Sequence, residues 1–203
     1  GVLAAQAARA GVTGSLDILE GEAGMGVAMG SGPNWLPMLG DLGRVFNIQH
    51  MTFKNHACCG HTFAAIDGAL ALQQRMGVAA KDLAEVHIET YQPALDVAGN
   101  PNPQTAAEAR FSLPFVVASA LVHGSVRLAA FTPERLADTQ VRGLMQRLSL
   151  RADAQIDAGF PGQRAARVRL VTRDGRDDVF FQPNRKGDPE DPLTDADLDS
   201  KFI

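Results

Sequence analysis

Arg167-Val168-Arg169-Leu170-Val171-Thr172-Arg173-Asp174-Gly175-Arg176, followed by Val179-Phe180-Phe181-Gln182, is the stretch whose reading decides the fold class. Val168 and Leu170 alternate with Arg167 and Arg169, a period of two that turns apolar side chains to one face of a strand and cations to the other. Asp174-Gly175 is a turn pair, and residues 179–182 form the returning strand. A hairpin with one apolar face needs a second layer to cover it. Upstream, residues 85–91 alternate in the same way, with Val86 and Ile88 on one face and His87 and Glu89 on the other. Residues 148–151 read as a further short strand, and residues 44–53 as a strand leading into the segment that follows.

Between these strands the period changes. Residues 62–76 place Phe63, Ile66 and Leu70 on one stripe, and Gly77 ends the helix. Residues 96–104 (DVAGNPNPQ) read as a loop, after which Thr105 and Glu108 form a capping box. Pro114 lacks a donor and clashes with the preceding turn, so the helix kinks or restarts there and continues, apolar, to His123 and Gly124. Thr132-Pro133-Glu134 opens a short helix. Asp138 caps another, whose stripe is Val141, Leu144, Met145 and Leu148. This order predicts an α+β fold, an antiparallel-sheet domain with helices on one face. No internal repeat is visible.

The ends predict something else. Residues 2–10 read as helix, rich in Ala and stopped by Gly11, with no capping residue before it. Thr194 and Asp197 resemble a capping box for a last helix carrying Leu198 and Phe202, after which the chain stops at Ile203. Residues 14–40, rich in Gly and Pro and including Gly30-Ser31-Gly32-Pro33, read as connecting loop with one short helix. The expectation is a segment of a longer protein: residues 1–43 the end of a helical domain and its connection, 44–183 an α/β domain, and 184–203 a return segment to an incomplete all-α domain.

Composition narrows the partners. Of 203 residues 45% are apolar and 21% charged, with 19 Lys+Arg against 23 Asp+Glu. A net charge of −4 argues against nucleic acid or an anionic membrane surface as the main partner. The Arg-rich residues 142–176 alternate outward with few aromatics, which suits a solvated sheet face. No apolar run is long enough to span a bilayer. The two cysteines, Cys58 and Cys59, are adjacent and make a poor long-range staple, so a reducing cytoplasm is the expected compartment.

Those cysteines lie in the densest group of reactive side chains, Lys54-Asn55-His56-Ala57-Cys58-Cys59-Gly60-His61, which runs directly into a helix N-terminus. Unpaired N–H groups there, with Lys54 beside them, suit a carboxylate, and an imidazole moves protons near neutral pH. Several readings stand side by side. His56, Cys58, Cys59 and His61 match zinc ligand types, but adjacent cysteines seldom reach one tetrahedral centre. A cysteine could be a nucleophile activated by the helix start, or simply packing. Lys54 and His61 could bind a carboxylate and transfer a proton, or the loop could carry no chemistry. Elsewhere, Arg110 could clamp a carboxylate. Ser112 beside Pro114 suits a structural hydrogen bond. His87 falls on a polar strand face, His123 at a helix C-terminus where a cation is favoured, and His50 has no assigned role.

Four blocks in order resemble the MmgE/PrpD family. They are the Lys54 segment followed by Ala65-Ile66-Asp67; Ala109-Arg110-Phe111-Ser112-Leu113-Pro114-Phe115; Gly124 through Phe131 to Leu136; and Pro192-Leu193 with Lys201-Phe202. The resemblance implies a helical domain paired with an α/β lid and a site between them. It implies action on a small di- or tricarboxylate by proton removal next to a carboxylate, with no redox cofactor; no metal is expected from the ligand spacing above. Dehydration, decarboxylation and epimerisation all occur in the family. It further implies a homodimer, or a partner chain that supplies the helical part. Carried onto this sequence, Lys54 matches the family's lid lysine, a substrate-binding or catalytic group. Cys59 stands where decarboxylase-like members place a catalytic His, Phe63 where many relatives have His, and Phe115 where several have Tyr. His61 is the nearest imidazole and is the expected acid/base, with Arg110, Cys59 and Ser112 as further substrate contacts. The runner-up is a non-catalytic lid module or remnant.

Overall fold

The computed structural model describes residues 1–32 and 34–202. Pro33 of the expected connecting loop, Ile203, and the side chains of Met38 and of Phe202 in the last helix lie outside the described residues. The chain divides into two units, residues 1–48 and 49–203.

The first unit holds three short helices, α1 (Val2–Arg9), α2 (Met25–Met29) and α3 (Leu36–Gly40). Among its described residues no large apolar side chain is buried, and Leu3, Leu16, Met29 and Leu36 stand open. The strand expected over residues 44–53 does not form. A turn precedes a short 3-10 helix at Asn47–His50, and Val45, Phe46, Ile48 and Phe53 are all exposed. Among the described residues no strand of the sheet pairs with these, and a strand without a partner is not completed.

The second unit follows the order α4 (Phe63–Met76), β1 (Leu83–Thr90), α5 (Gln92–Ala98), α6 (Ala106–Ala109), α7 (Leu113–His123), α8 (Pro133–Leu136), α9 (Thr139–Met145), β2 (Leu148–Ala152), α10 (Ala154–Gly159), β3 (Ala166–Thr172), β4 (Asp177–Gln182) and α11 (Asp195–Phe202). The fold is α+β. Its four strands are ordered β2-β1-β3-β4. β1 pairs antiparallel with β3 and β3 with β4, the hairpin expected around Gly175. β2 joins β1 in parallel, with Val86 opposite Leu148. A parallel pair needs a long crossover, and here α5 to α9 supply it.

The core lies on one side of the sheet. Val86, Ile88, Val168 and Leu170 face α4 and α7, which bring Phe63, Ile66, Leu113 and Phe115. Each such side chain contributes about 2–3 kcal/mol by leaving water. Left-handed glycines at Gly77 and Gly124 stop the two helices. Ser112 begins α7 as its cap, so the chain restarts at Pro114 instead of kinking. The loop expected over 96–104 starts later, because Tyr91 and Pro93 open α5 and carry it to Ala98. α10 is an element the alternation does not announce; Asp153 caps it by accepting from the Gln155 and Ile156 N–H groups. On the opposite side of the sheet, Glu89 joins Arg151 and Arg167, and Arg169 joins Asp177. His87 bonds Ser149 at 2.7 Å and Glu85 at 2.8 Å. His123 pairs with Asp138 at 2.9 Å.

Candidate active site

Residues 54–59 form no regular element, so their backbone must be satisfied from outside. The Ala57 N–H donates to Val126 O at 3.0 Å, and the Cys59 N–H to Arg110 O at 2.9 Å. Arg127 donates to Asn55 O, and Lys201 Nζ to Lys54 O at 2.7 Å. A 3-10 turn at Gly60–Thr62 then delivers the chain into α4.

Held this way, the reactive side chains point to different partners. His56 is buried and its Nε2 meets Asp67 Oδ1 at 2.8 Å, while Asp67 Oδ2 accepts the Lys186 N–H at 3.0 Å. The buried His56 Nδ1 has no hydrogen-bond partner. Cys58 is 5% exposed and its Sγ lies 3.2 Å from Thr62 Oγ1. Burial pushes the Cys58 thiol up to about 12, against a smaller opposing pull from the Thr62 hydrogen bond. A thiol in that state is not a nucleophile at neutral pH. Iodoacetamide at about pH 8 is therefore expected to label the half-buried Cys59 and to leave Cys58 at least about a hundredfold slower, read by peptide mass mapping. Equal labelling of both would contradict the burial of Cys58. Among the described residues, no three His, Cys, Asp or Glu side chains are grouped to hold a metal ion.

His61 is the imidazole left at an accessible position. Its Nδ1 lies 2.8 Å from the Tyr91 hydroxyl. Phe160 stacks on Tyr91 with ring centroids 4.7 Å apart and lies 6.1 Å from the His61 ring. Partial burial lowers the His61 pKa, and the Arg164 and Arg185 guanidinium groups lower it further. His61 is thus neutral at physiological pH. Arg185 forms a two-pronged pair with Asp188, at 2.8 and 2.6 Å, and bonds Thr52 Oγ1 at 3.2 Å. It also reaches the backbone beside His61, since a Cβ on Gly60 would sit 2.9 Å from Arg185 Nη1. Arg164 lies 5.9 Å over the Phe160 ring and makes no ion pair among the described residues.

The residues singled out in the sequence are brought together only in part. Lys54 is exposed at the start of the segment, and no hydrogen bond or ion pair links it to His61 among the described residues. Arg110 meets the segment through its carbonyl; its guanidinium lies 5.0 Å over the Phe131 ring. Ser112 is fully enclosed, donates to Asn100 O at 2.6 Å and accepts from the Phe115 N–H at 3.3 Å. Its hydroxyl is spent on the start of α7, which is the structural reading of this residue and leaves it nothing to offer a substrate. Tyr91, Arg164, Arg185 and Asp188 are the residues that sequence reasoning missed. Tyr91 had one available signal: it is the single tyrosine of the chain, while Phe115 fills the position where a phenol was sought.

His61, held at the start of α4 with Tyr91, Phe160, Arg164 and Arg185 around it, is the candidate site that the geometry offers in this α+β unit. Residues 56–203 match the MmgE/PrpD C-terminal domain, and the chain belongs to that family. It is also similar to cis-aconitate decarboxylase of Mus musculus, 26% identical over 202 residues, covering 95% of this chain and 40% of that protein. The cis-aconitate decarboxylase of Homo sapiens is 25% identical over 211 residues, covering 100% of this chain and 43% of that protein. The chain thus spans about two fifths of the length of these relatives. Among the described residues no helix is long and apolar enough to cross a membrane.

Proposed function

We propose that this chain forms the lid side of a lyase or isomerase site that moves a proton next to a carboxylate of a small di- or tricarboxylate. The observation that carries the reading is the surrounding of His61: a neutral imidazole at the mouth of a helix, walled by Phe160 and Tyr91, with Arg164 and Arg185 beside it. Asp188 balances the charge of Arg185, so Arg164, which has no ion pair among the described residues, and the helix start are what attract a polyanion, and their field stabilises negative charge that develops on oxygen when a carbon acid is deprotonated. Lys54 holds a substrate carboxylate or the enediolate formed from it. His61 faces the reacting end, and its tautomer decides which half of the proton chemistry it serves. Family membership supports the substrate class, and the similarity to two cis-aconitate decarboxylases supports a tricarboxylate within it. Cys59 at the decarboxylase histidine position favours a dehydratase- or epimerase-like course. The remaining walls of the site come from a helical domain, in a homodimer or with a partner chain, in the reducing cytoplasm that keeps both cysteines as thiols.

The test is turnover of citrate-, aconitate- and fumarate-like acids by the full gene product, followed by the decay or growth of the conjugated double bond. Lys54→Ala is expected to lower turnover by about a hundredfold, the loss typical of one charge-stabilising donor. Normal turnover in that variant would end the assignment of Lys54.

A further inference from the structure

Tyr91 is buried, 1% exposed, and the one hydrogen-bond partner of its hydroxyl among the described residues is His61 Nδ1 at 2.8 Å. Two proton arrangements satisfy that distance. In the first, the phenol donates to a bare Nδ1 and the imidazole hydrogen sits on Nε2. In the second, Nδ1–H donates to the phenol oxygen, and the phenol's own hydrogen is left buried with no acceptor. A buried donor without a partner is the costlier fault, so the first arrangement is favoured. The setting agrees. Arg164 and Arg185 oppose a third, doubly protonated form, while Cys59 and Asp188 are the remaining titratable groups that act on this pair. Burial raises the phenol to about 12, so it stays a donor throughout the physiological range. Phe160, stacked on the Tyr91 ring at an interplanar angle of 16°, fixes the direction from which the hydroxyl approaches.

We infer that Tyr91 is a positioning residue that holds His61 in the tautomer with its hydrogen on Nε2, so that His61 meets the substrate as a neutral hydrogen-bond donor to a carboxylate or enediolate oxygen. This deepens the proposed function and rests on it. It also changes the division of labour there: an imidazole whose bare nitrogen is occupied by a phenol does not take the substrate proton, so the base is a different group. Nor does His61 give its hydrogen away outright, which would leave an imidazolate; it shares the hydrogen with the oxygen on which charge gathers. A neutral imidazole is well matched to that task, because its N–H is closer in acidity to an enediol than an imidazolium would be.

The experiment is 15N correlation spectroscopy of the histidine side chains in the full gene product, assigned through a His61→Gln variant, at a pH above the His61 titration. The expected spectrum shows Nε2 protonated and Nδ1 bare. Tyr91→Phe keeps the ring and its stack on Phe160 but removes the donor. It is expected to give a mixture of both tautomers and about a tenfold fall in kcat with KM little changed. A wild-type spectrum with the hydrogen on Nδ1 overturns the inference, whether or not the variant folds. So does a folded Tyr91→Phe whose tautomer or kcat is unchanged. The tautomer is read without turnover, so the loss of the functional reading by the Lys54→Ala test and the loss of this inference are separate results.

Discussion

Replacing Arg185 with Ala is expected to lower the stability of the unit spanning residues 49–203 by about 3 kcal/mol, read as a fall in the urea midpoint. Arg185 and Asp188 are nearly enclosed, their side chains 11% and 12% exposed. Burial alone would raise the Asp188 pKa, but the guanidinium and the Thr52 hydroxyl outweigh it and hold the carboxyl below its ordinary value. Removing the cation leaves the carboxylate with neutral donors only, the Thr52 hydroxyl at 2.6 Å and the backbone N–H of residue 185. Most of the loss is therefore the cost of an unpaired buried charge and not the worth of the pair. The double variant Arg185→Met with Asp188→Leu should then cost less than Arg185→Ala alone. If the double variant costs as much as Arg185→Ala or more, the account fails. The pH dependence carries a sign. Because the folded pKa is depressed, the contribution of Asp188 is complete above the unfolded carboxylate value of about 4 and fades as pH falls through the folded one. Arg185→Ala should accordingly flatten the acid limb of the stability profile. It should also raise the His61 pKa, since one of the two cations lowering it is gone.

Gly187→Ala is expected to cost about 3 kcal/mol or more in the same measurement, for a different reason. Gly187 has φ +103, and a Cβ there would lie 2.0 Å from Phe53 O. No rotamer relieves a clash between a Cβ and a backbone oxygen, so one of the two segments must move. Movement would break the bonds from the Phe53 N–H to Gly187 O, 2.8 Å, and from the Gly187 N–H to Asp191 O, 2.7 Å. Gly175→Ala separates strain from collision. Gly175 has φ +87 but nothing within 4 Å of its Cβ position, so only the conformational cost of about 1 kcal/mol is expected there. Equal losses at the two glycines would show that the close approach to Phe53 is not real.

The hairpin of β3 and β4, the stripe of α4 and the cap at Ser112 were legible because each is written in neighbouring residues: alternation, a three-to-four spacing, or a hydroxyl just before a proline. The strand expected over residues 44–53 failed for the complementary reason. A strand is completed by a partner, and nothing within that decapeptide says whether a partner exists. The parallel pairing of β2 with β1 was equally hidden, since Leu148 and Val86 are brought together only by the crossover. At the site, Lys54, Cys59 and His61 stood out because reactive residues crowd one short segment. Tyr91 did not, because its partner is remote in sequence, and Arg185 did not, because its pairing with nearby Asp188 says nothing of its approach to Thr52. Tyr91 is 30 residues from His61, and Arg185 is 133 from Thr52. Arg110 was read as a carboxylate clamp from its residue type, and what a guanidinium does depends on which ring or anion it finds, here Phe131.

The bonds from Thr52 to Asp188, from Phe53 to Gly187 and from Lys201 to Lys54 O have one more consequence. They bring the first residues of the 49–203 unit against its last loop and last helix, so the two ends of this unit lie side by side. A body whose ends adjoin adds little closure entropy to a chain into which it is inserted, because only a short gap has to be bridged. Such a body is portable: it can be carried as an insertion in one protein, exchanged as a block, or re-cut at another surface loop with its old ends joined, without redrawing the sheet inside it.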